Sequence, residues 1–122
     1  MATIRYLVTD VEAAVAFYVE ALGFEVVQQF PPAMAILRRG DLTLWTAGPP
    51  SSAARPMPDG QSPAPGGWNR MVLEVAEIEA AVAYLSGLGV SFRNQIVVGP
   101  GGRQILCEDP SGNPIELFQP AG

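Results

Sequence analysis

Residues 11–18 read VEAAVAFY, and residues 78–85 read IEAAVAYL. Glu12, Ala13, Ala14, Val15 and Ala16 recur as Glu79, Ala80, Ala81, Val82 and Ala83, and Phe17 recurs as Tyr84, all at a constant offset of 67. Upstream, Val8 and Asp10 match Val75 and Glu77 at the same offset. Downstream, Leu22-Gly23-Phe24 matches Leu88-Gly89-Val90 with one residue lost. A match that extends through flanking elements marks a supersecondary unit used twice.

Each copy opens on a strand pattern. Ile4, Tyr6 and Val8 alternate with Thr3, Arg5 and Leu7, and Met71, Leu73 and Val75 alternate with Arg70, Val72 and Glu74; such period-two alternation predicts a sheet with two unlike faces. A helix follows. Asp10 stands at an N-cap position, and Val11, Ala14, Val15, Tyr18 and Leu22 recur at helical spacing, as do Ile78, Ala81, Val82, Leu85 and Leu88. Gly23 and Gly89 sit where a left-handed cap stops each helix. Three strands are then predicted in each half: 24–30, 33–38 and 42–46, then 90–98, 103–108 and 114–119. Gly40-Asp41 makes the last turn of the first half, and the run from Asp109 to Asn113 makes that of the second. The expected fold class is α+β, with two β-α-β-β-β modules.

At 122 residues and 48% apolar composition the chain can build one compact domain with a core. Module one is expected at 1–47 and module two at 69–122. Between them, residues 48–68 (GPPSSAARPMPDGQSPAPGGW) show no period and read as a linker, either mobile or acting as a lid, with Met57 and Trp68 as its candidate ligand contacts. The net charge of −5, with no basic run, argues against a nucleic-acid partner. The apolar stretches are too short for a membrane span. The opening MATIRYLVTD begins directly on the strand pattern, so the expected location is cytoplasmic.

The chain contains no histidine and a single cysteine, Cys107. Histidine is the commonest general base near neutral pH and the commonest metal ligand, so neither a Ser-His-Asp nor a Cys-His site can be built. Cys107 cannot form an intrachain disulfide and reads as a small buried hydrophobe.

Two segments, VTDVEAAVAFYVEALGFEVV at 8–27 and EDPSGNPIELFQP at 108–120, resemble the vicinal oxygen chelate superfamily, which includes glyoxalases, extradiol dioxygenases and bleomycin-resistance proteins. The resemblance implies paired modules forming a cupped, incomplete mixed β-barrel with helices on the outside. It also implies a homodimer, and a pocket built within one chain or across two.

Strand parity separates Leu42, Leu44, Ile115 and Leu117, expected under the helices, from Thr43, Trp45, Glu116 and Phe118 on the other face. Thr3, Arg5 and Leu7, and Arg70, Val72 and Glu74, are assigned to that second face. The candidate ligand-binding set is therefore Arg5, Leu7, Thr43, Trp45, Met57, Trp68, Arg70, Val72, Glu116 and Phe118, a mixture of apolar walls and a few polar groups suited to a small organic ligand. Trp45 and Phe118 hold comparable places in the two halves and could face a planar, aromatic ligand, with Trp68 and Phe30 as further aromatics. Metal-dependent members of the resembled group place ligands at positions that fall here at Thr3, Thr43, Arg70 and Glu116, so the departure implies a metal-free member with no cofactor. Arg70 and Arg5 are the candidates to pair with Glu116.

Three functions remain open on the sequence. The first is a metal-independent protein that binds or sequesters an antibiotic or other aromatic natural product, as the bleomycin-resistance branch does. The second is a metal-free lyase or isomerase with Glu116 or Glu74 as base and Arg70 as oxyanion stabiliser. The third is a metal-dependent glyoxalase or dioxygenase with atypical ligands.

Overall fold

A computed structural model of the protein describes residues 2–122; Met1, at the start of the expected first module, lies outside them. The chain divides into two compact units, one reaching to Gly66 and including Pro110–Asn113, the other comprising Gly67–Asp109 and Pro114–Gly122.

In the first unit β1 (Ala2–Leu7) is followed by α1 (Val11–Leu22), β2 (Glu25–Phe30), β3 (Met34–Arg39) and β4 (Leu42–Ala47). The sheet runs β1-β4-β3-β2, with β1 parallel to β4 and the other pairs antiparallel. Asp10 accepts from the Ala13 N–H and caps α1, and Gly23, at φ 72°, ends it while Phe24 N–H returns to the Tyr18 carbonyl. Val11, Ala14, Tyr18 and Leu22 form the buried stripe of the helix. They face a sheet side on which Tyr6, Ala35, Leu37 and Leu44 are all buried. Tyr18 also meets Phe24 edge to face at 5.4 Å. Burying each large apolar side chain in this layer contributes about 1.5–3 kcal/mol.

The second unit repeats the order with β5 (Met71–Glu74), α2 (Ile78–Gly87), β6 (Val97–Gly99), β7 (Gly102–Glu108) and β8 (Pro114–Pro120), in a sheet β5-β8-β7-β6. Here β5 is parallel to β8, and the remaining pairs are antiparallel. Its core is Met71, Leu73, Ile105, Cys107, Ile115 and Leu117 with Ile78 and Leu85 of α2. Glu77 makes no side-chain cap to α2; instead the Gln119 amide oxygen of β8 accepts from Ile78 N–H at 2.8 Å. The described residues thus hold two helices and eight strands in two mixed sheets, the α+β arrangement expected from the repeat, and neither sheet closes on itself.

Two expectations are corrected. The predicted strand at 90–98 survives only as β6, because Asn94 interrupts it: its side-chain oxygen accepts the Leu106 N–H at 2.9 Å, taking the place of a ladder carbonyl. Before that break the chain still follows β7, through a Phe92–Cys107 bridge and bonds from Glu108 N–H to Ser91 and from Arg93 N–H to Leu106. Leu88, placed in the apolar stripe of the second helix, is 41% exposed just beyond the end of α2.

The 48–68 segment carries turns of its own. Ser52–Ala54 forms one 3₁₀ turn, Gly48 N–H donates to the Ala33 carbonyl, and Met57 and Gly60 close a small hydrogen-bonded loop with Gln61.

Candidate functional site

The register gathers the candidate residues into two groups, one in each unit. In the first, parallel pairing sets Thr3 beside Thr43 and Arg5 beside Trp45, and the β3–β4 pairing adds Ile36 next to Trp45. These residues occupy the sheet face opposite α1, as parity predicted. The Arg5 guanidinium lies 4.9 Å from the Trp45 ring centroid, a cation–π contact on an exposed side chain.

In the second unit Val72 pairs with Glu116, and Glu74 pairs with Phe118. On the other side of β8, Leu106 pairs with Glu116 and Gln104 with Phe118. Glu116 is only 8% exposed, so its carboxylate requires a partner. Arg70 supplies it, since Nε and Nη2 donate to Oε1 at 3.1 and 2.9 Å. Arg70 Nη1 also donates to the Trp68 carbonyl at 3.2 Å, which anchors the guanidinium from behind. Of the two arginines considered as partners for Glu116, Arg70 takes the role and Arg5 stacks on Trp45.

Trp68 is 68% exposed, and one face of its ring is covered by Arg93, 4.6 Å from the centroid. Arg93 is held by the Glu108 carboxylate at 2.7 Å and the Gly67 carbonyl at 2.6 Å. Met57 lies exposed in the 48–68 segment, and Phe30 is exposed on β2. Leu7 is half-buried and lines a small pocket of the first unit. Sequence reading passed over Ile36, Gln104, Leu106, Arg93 and Glu108. Strand parity applied to β3 and β7 would have found the first three, whereas the Arg93 cluster depends on the irregular 91–96 stretch and left no periodic signal.

The four positions at which the resemblance expects chelation carry two hydroxyls, a guanidinium and one carboxylate, and that carboxylate is engaged by the guanidinium. Among the described residues no three of His, Cys, Asp and Glu form a set able to hold a metal ion. This donor chemistry does not fit a divalent cation, which needs several oxygen, nitrogen or sulfur donors. Cys107 is fully buried, and burial pushes its thiol up to about 12, so it is a poor nucleophile and a poor ligand.

The Glyoxalase/Bleomycin resistance protein/Dioxygenase superfamily model matches residues 1–117. The chain belongs to this superfamily. Among solved structures, the superfamily member from Sphaerobacter thermophilus DSM 20745 is 28% identical with a TM-score of 0.77, over 98% of this chain and 95% of that one. TnmS3, an antibiotic binding protein from Streptomyces sp. CB03234, is also 28% identical, with a TM-score of 0.75 over 98% of this chain and 93% of that one. Lactoylglutathione lyase from Agrobacterium tumefaciens, at 20% identity and a TM-score of 0.76 over 98% of this chain and 92% of that one, shares the fold. No curated protein matches the chain. Among the described residues of this superfamily member, no helix is long and apolar enough to cross a membrane.

Proposed function

We propose that this chain is a metal-independent small-molecule binding protein that holds or sequesters an antibiotic or another aromatic natural product. The observation that carries the reading is the Arg70–Glu116 pair, which ties up the one carboxylate among the four expected chelating positions. The likeness to an antibiotic binding protein supports it. The proposed contacts are Arg5, Leu7, Thr43 and Trp45 from the first unit, Arg70, Val72, Glu116 and Phe118 from the second, and Met57 and Trp68. The aromatic and aliphatic members supply area for a flat ligand, and the polar ones fix its orientation. Binding is favoured over lyase or isomerase chemistry because the Arg70 guanidinium, the oxyanion donor such a reaction needs free, is already committed through Nε and Nη2 to Glu116 and through Nη1 to the Trp68 carbonyl. The proposed protein acts as a cytoplasmic homodimer.

The test is titration of the purified protein with a panel of aromatic antibiotics, bleomycin among them, followed by quenching of the two tryptophans and by mass spectrometry of the recovered compound. The expected result is saturable binding of an intact molecule that survives dialysis against a chelator. A chemically altered product, or binding that disappears with the chelator and returns with a metal, overturns the reading.

A further inference from the structure

The first unit contains a pocket of about 170 Å³ that the proposed contacts, Leu7 apart, do not use. Its walls are Leu7, Val8 and Thr9 where β1 runs out, Ala47 at the end of β4, and Ala54 with prolines of the 48–66 segment. No lining residue is ionisable, and its one side-chain hydroxyl, Thr9 Oγ1, already lies 3.3 Å from Ser111 Oγ. A charged guest would therefore lose its hydration without finding a counter-charge.

The walls are fixed from behind. Asn113, 4% exposed, donates through Nδ2 to the Leu7 carbonyl at 2.7 Å and accepts the Gly66 N–H through Oδ1 at 2.7 Å. One amide thus ties the β1 wall to the residue that follows Pro65. Thr9 N–H adds a bond to Ser111 Oγ at 2.9 Å. At the entry to the segment, Gly48 N–H donates to Ala33, and both Ser51 N–H and Ser51 Oγ donate to the Gly48 carbonyl. A Cβ at Gly48 would stand 2.6 Å from the Pro32 carbonyl oxygen and 2.9 Å from Val11 Cγ2, so the segment leaves the sheet along a path that only glycine permits. Proline rings have almost no rotamer freedom to lose, so such a pocket is ordered before a guest arrives.

We propose that this pocket binds a small, uncharged, apolar molecule about the size of a single ring. The volume supports that size, since a dry apolar cavity of about 150 Å³ accepts one benzene. The inference stands apart from the proposed antibiotic binding, which rests on Arg70 and Glu116 of the other unit.

The experiment is a titration of the full chain with toluene, followed by the methyl resonances of Leu7, Val8, Ala47 and Ala54. The expected result is a saturable shift confined to those methyls, at least tenfold weaker in Ala54→Leu, which fills the space, and absent when sodium benzoate replaces toluene. The shifts persist in Glu116→Gln, so failure of the antibiotic reading leaves them intact. Absence of saturation, an equal response to benzoate, or an unchanged response in a folded Ala54→Leu overturns the proposal. Should Ala54→Leu fail to fold, Leu7→Ala widens the same space and must shift preference from toluene toward naphthalene; an unchanged preference overturns the proposal equally.

Discussion

Arg70 directs two nitrogens, Nε and Nη2, at the single Glu116 oxygen Oε1, and both contacts are 3.1 Å or shorter. The two side chains differ in burial: that of Glu116 is 11% exposed and that of Arg70 30%. Removing the arginine therefore leaves the more buried partner without its counter-charge. Arg70→Met is expected to lower stability by about 2–3 kcal/mol, below the full cost of stranding a deeply buried charge because the arginine side is partly solvated. Glu116→Gln keeps an acceptor for the guanidinium and is expected to cost about 1 kcal/mol. Urea denaturation of both variants checks the order, and a Glu116→Gln cost equal to that of Arg70→Met contradicts it.

Asn113 reaches across 106 positions of sequence to the Leu7 carbonyl and also receives the Gly66 N–H. Asn113→Ala strands a backbone acceptor and a backbone donor at once and is expected to cost about 2–4 kcal/mol, read as a fall in the unfolding midpoint. Asn113→Asp preserves the acceptor but sets a carboxylate oxygen against the Leu7 carbonyl. It should recover none of the Leu7 contact, so a variant as stable as the parent would show that this bond contributes little.

Cys107 titrates far above an ordinary thiol because burial penalises its anion, with Asp109 and Glu108 adding to the effect. In the unfolded chain the thiol ionises near 9, while in the fold it holds its proton to about 12. The stabilising contribution is complete below pH 9 and is lost as pH rises from there toward 12. At pH 10 the loss is about 1 kcal/mol. Cys107→Ala removes this alkaline slope, although the cavity it leaves lowers stability at every pH. Denaturation curves at pH 8 and pH 10 separate the two effects. In the parent chain, a disulfide reagent should label Cys107 only as fast as the fold opens.

Gly101 and Gly102 are neighbours with opposite tolerances. A Cβ at Gly102 would lie 2.2 Å from the Gln119 carbonyl oxygen, and φ there is 150°. At Gly101 the nearest atom to such a Cβ is the Phe118 Cζ, at 4.0 Å. Gly102→Ala should displace the end of β8 and cost about 2–4 kcal/mol, whereas Gly101→Ala stays within about 0.5 kcal/mol of the parent. Thermal unfolding of the pair decides it.

The repeat was legible because the same residues serve the same roles twice. Tyr18 and Leu85 face their sheets from the two helices, and Gly23 and Gly89 end those helices with positive φ. Parity alone separated Thr43 and Trp45 from Leu42 and Leu44, since each residue step in a strand reverses the face. Three things were hidden. Asn94 breaks the 90–98 stretch with a side-chain bond to Leu106, a competition that apolar patterning does not register. The choice of Arg70 over Arg5 for Glu116 turns on which strand neighbours β8, and the topology decides that. The contact of Asn113 with Leu7 links a turn to a strand end far away in sequence, and a turn signal carries no address.

The interruption at Asn94 has a consequence for self-association. A sheet that ends in a long, regular outer strand exposes a row of unpaired amides and carbonyls, onto which a second chain can add and begin a fibril. Here β6 retains three residues, Val97–Gly99, and Val98 is 76% exposed. On the outer strand of the other sheet, the register shift between Val26 and Gln28 disturbs the run that exposes Val26 and Val27. At these two edges exposed valines would favour stacking into amyloid, and the template is spoiled in two ways: β6 is only three residues long, and the bulge in β2 puts its six residues out of regular register.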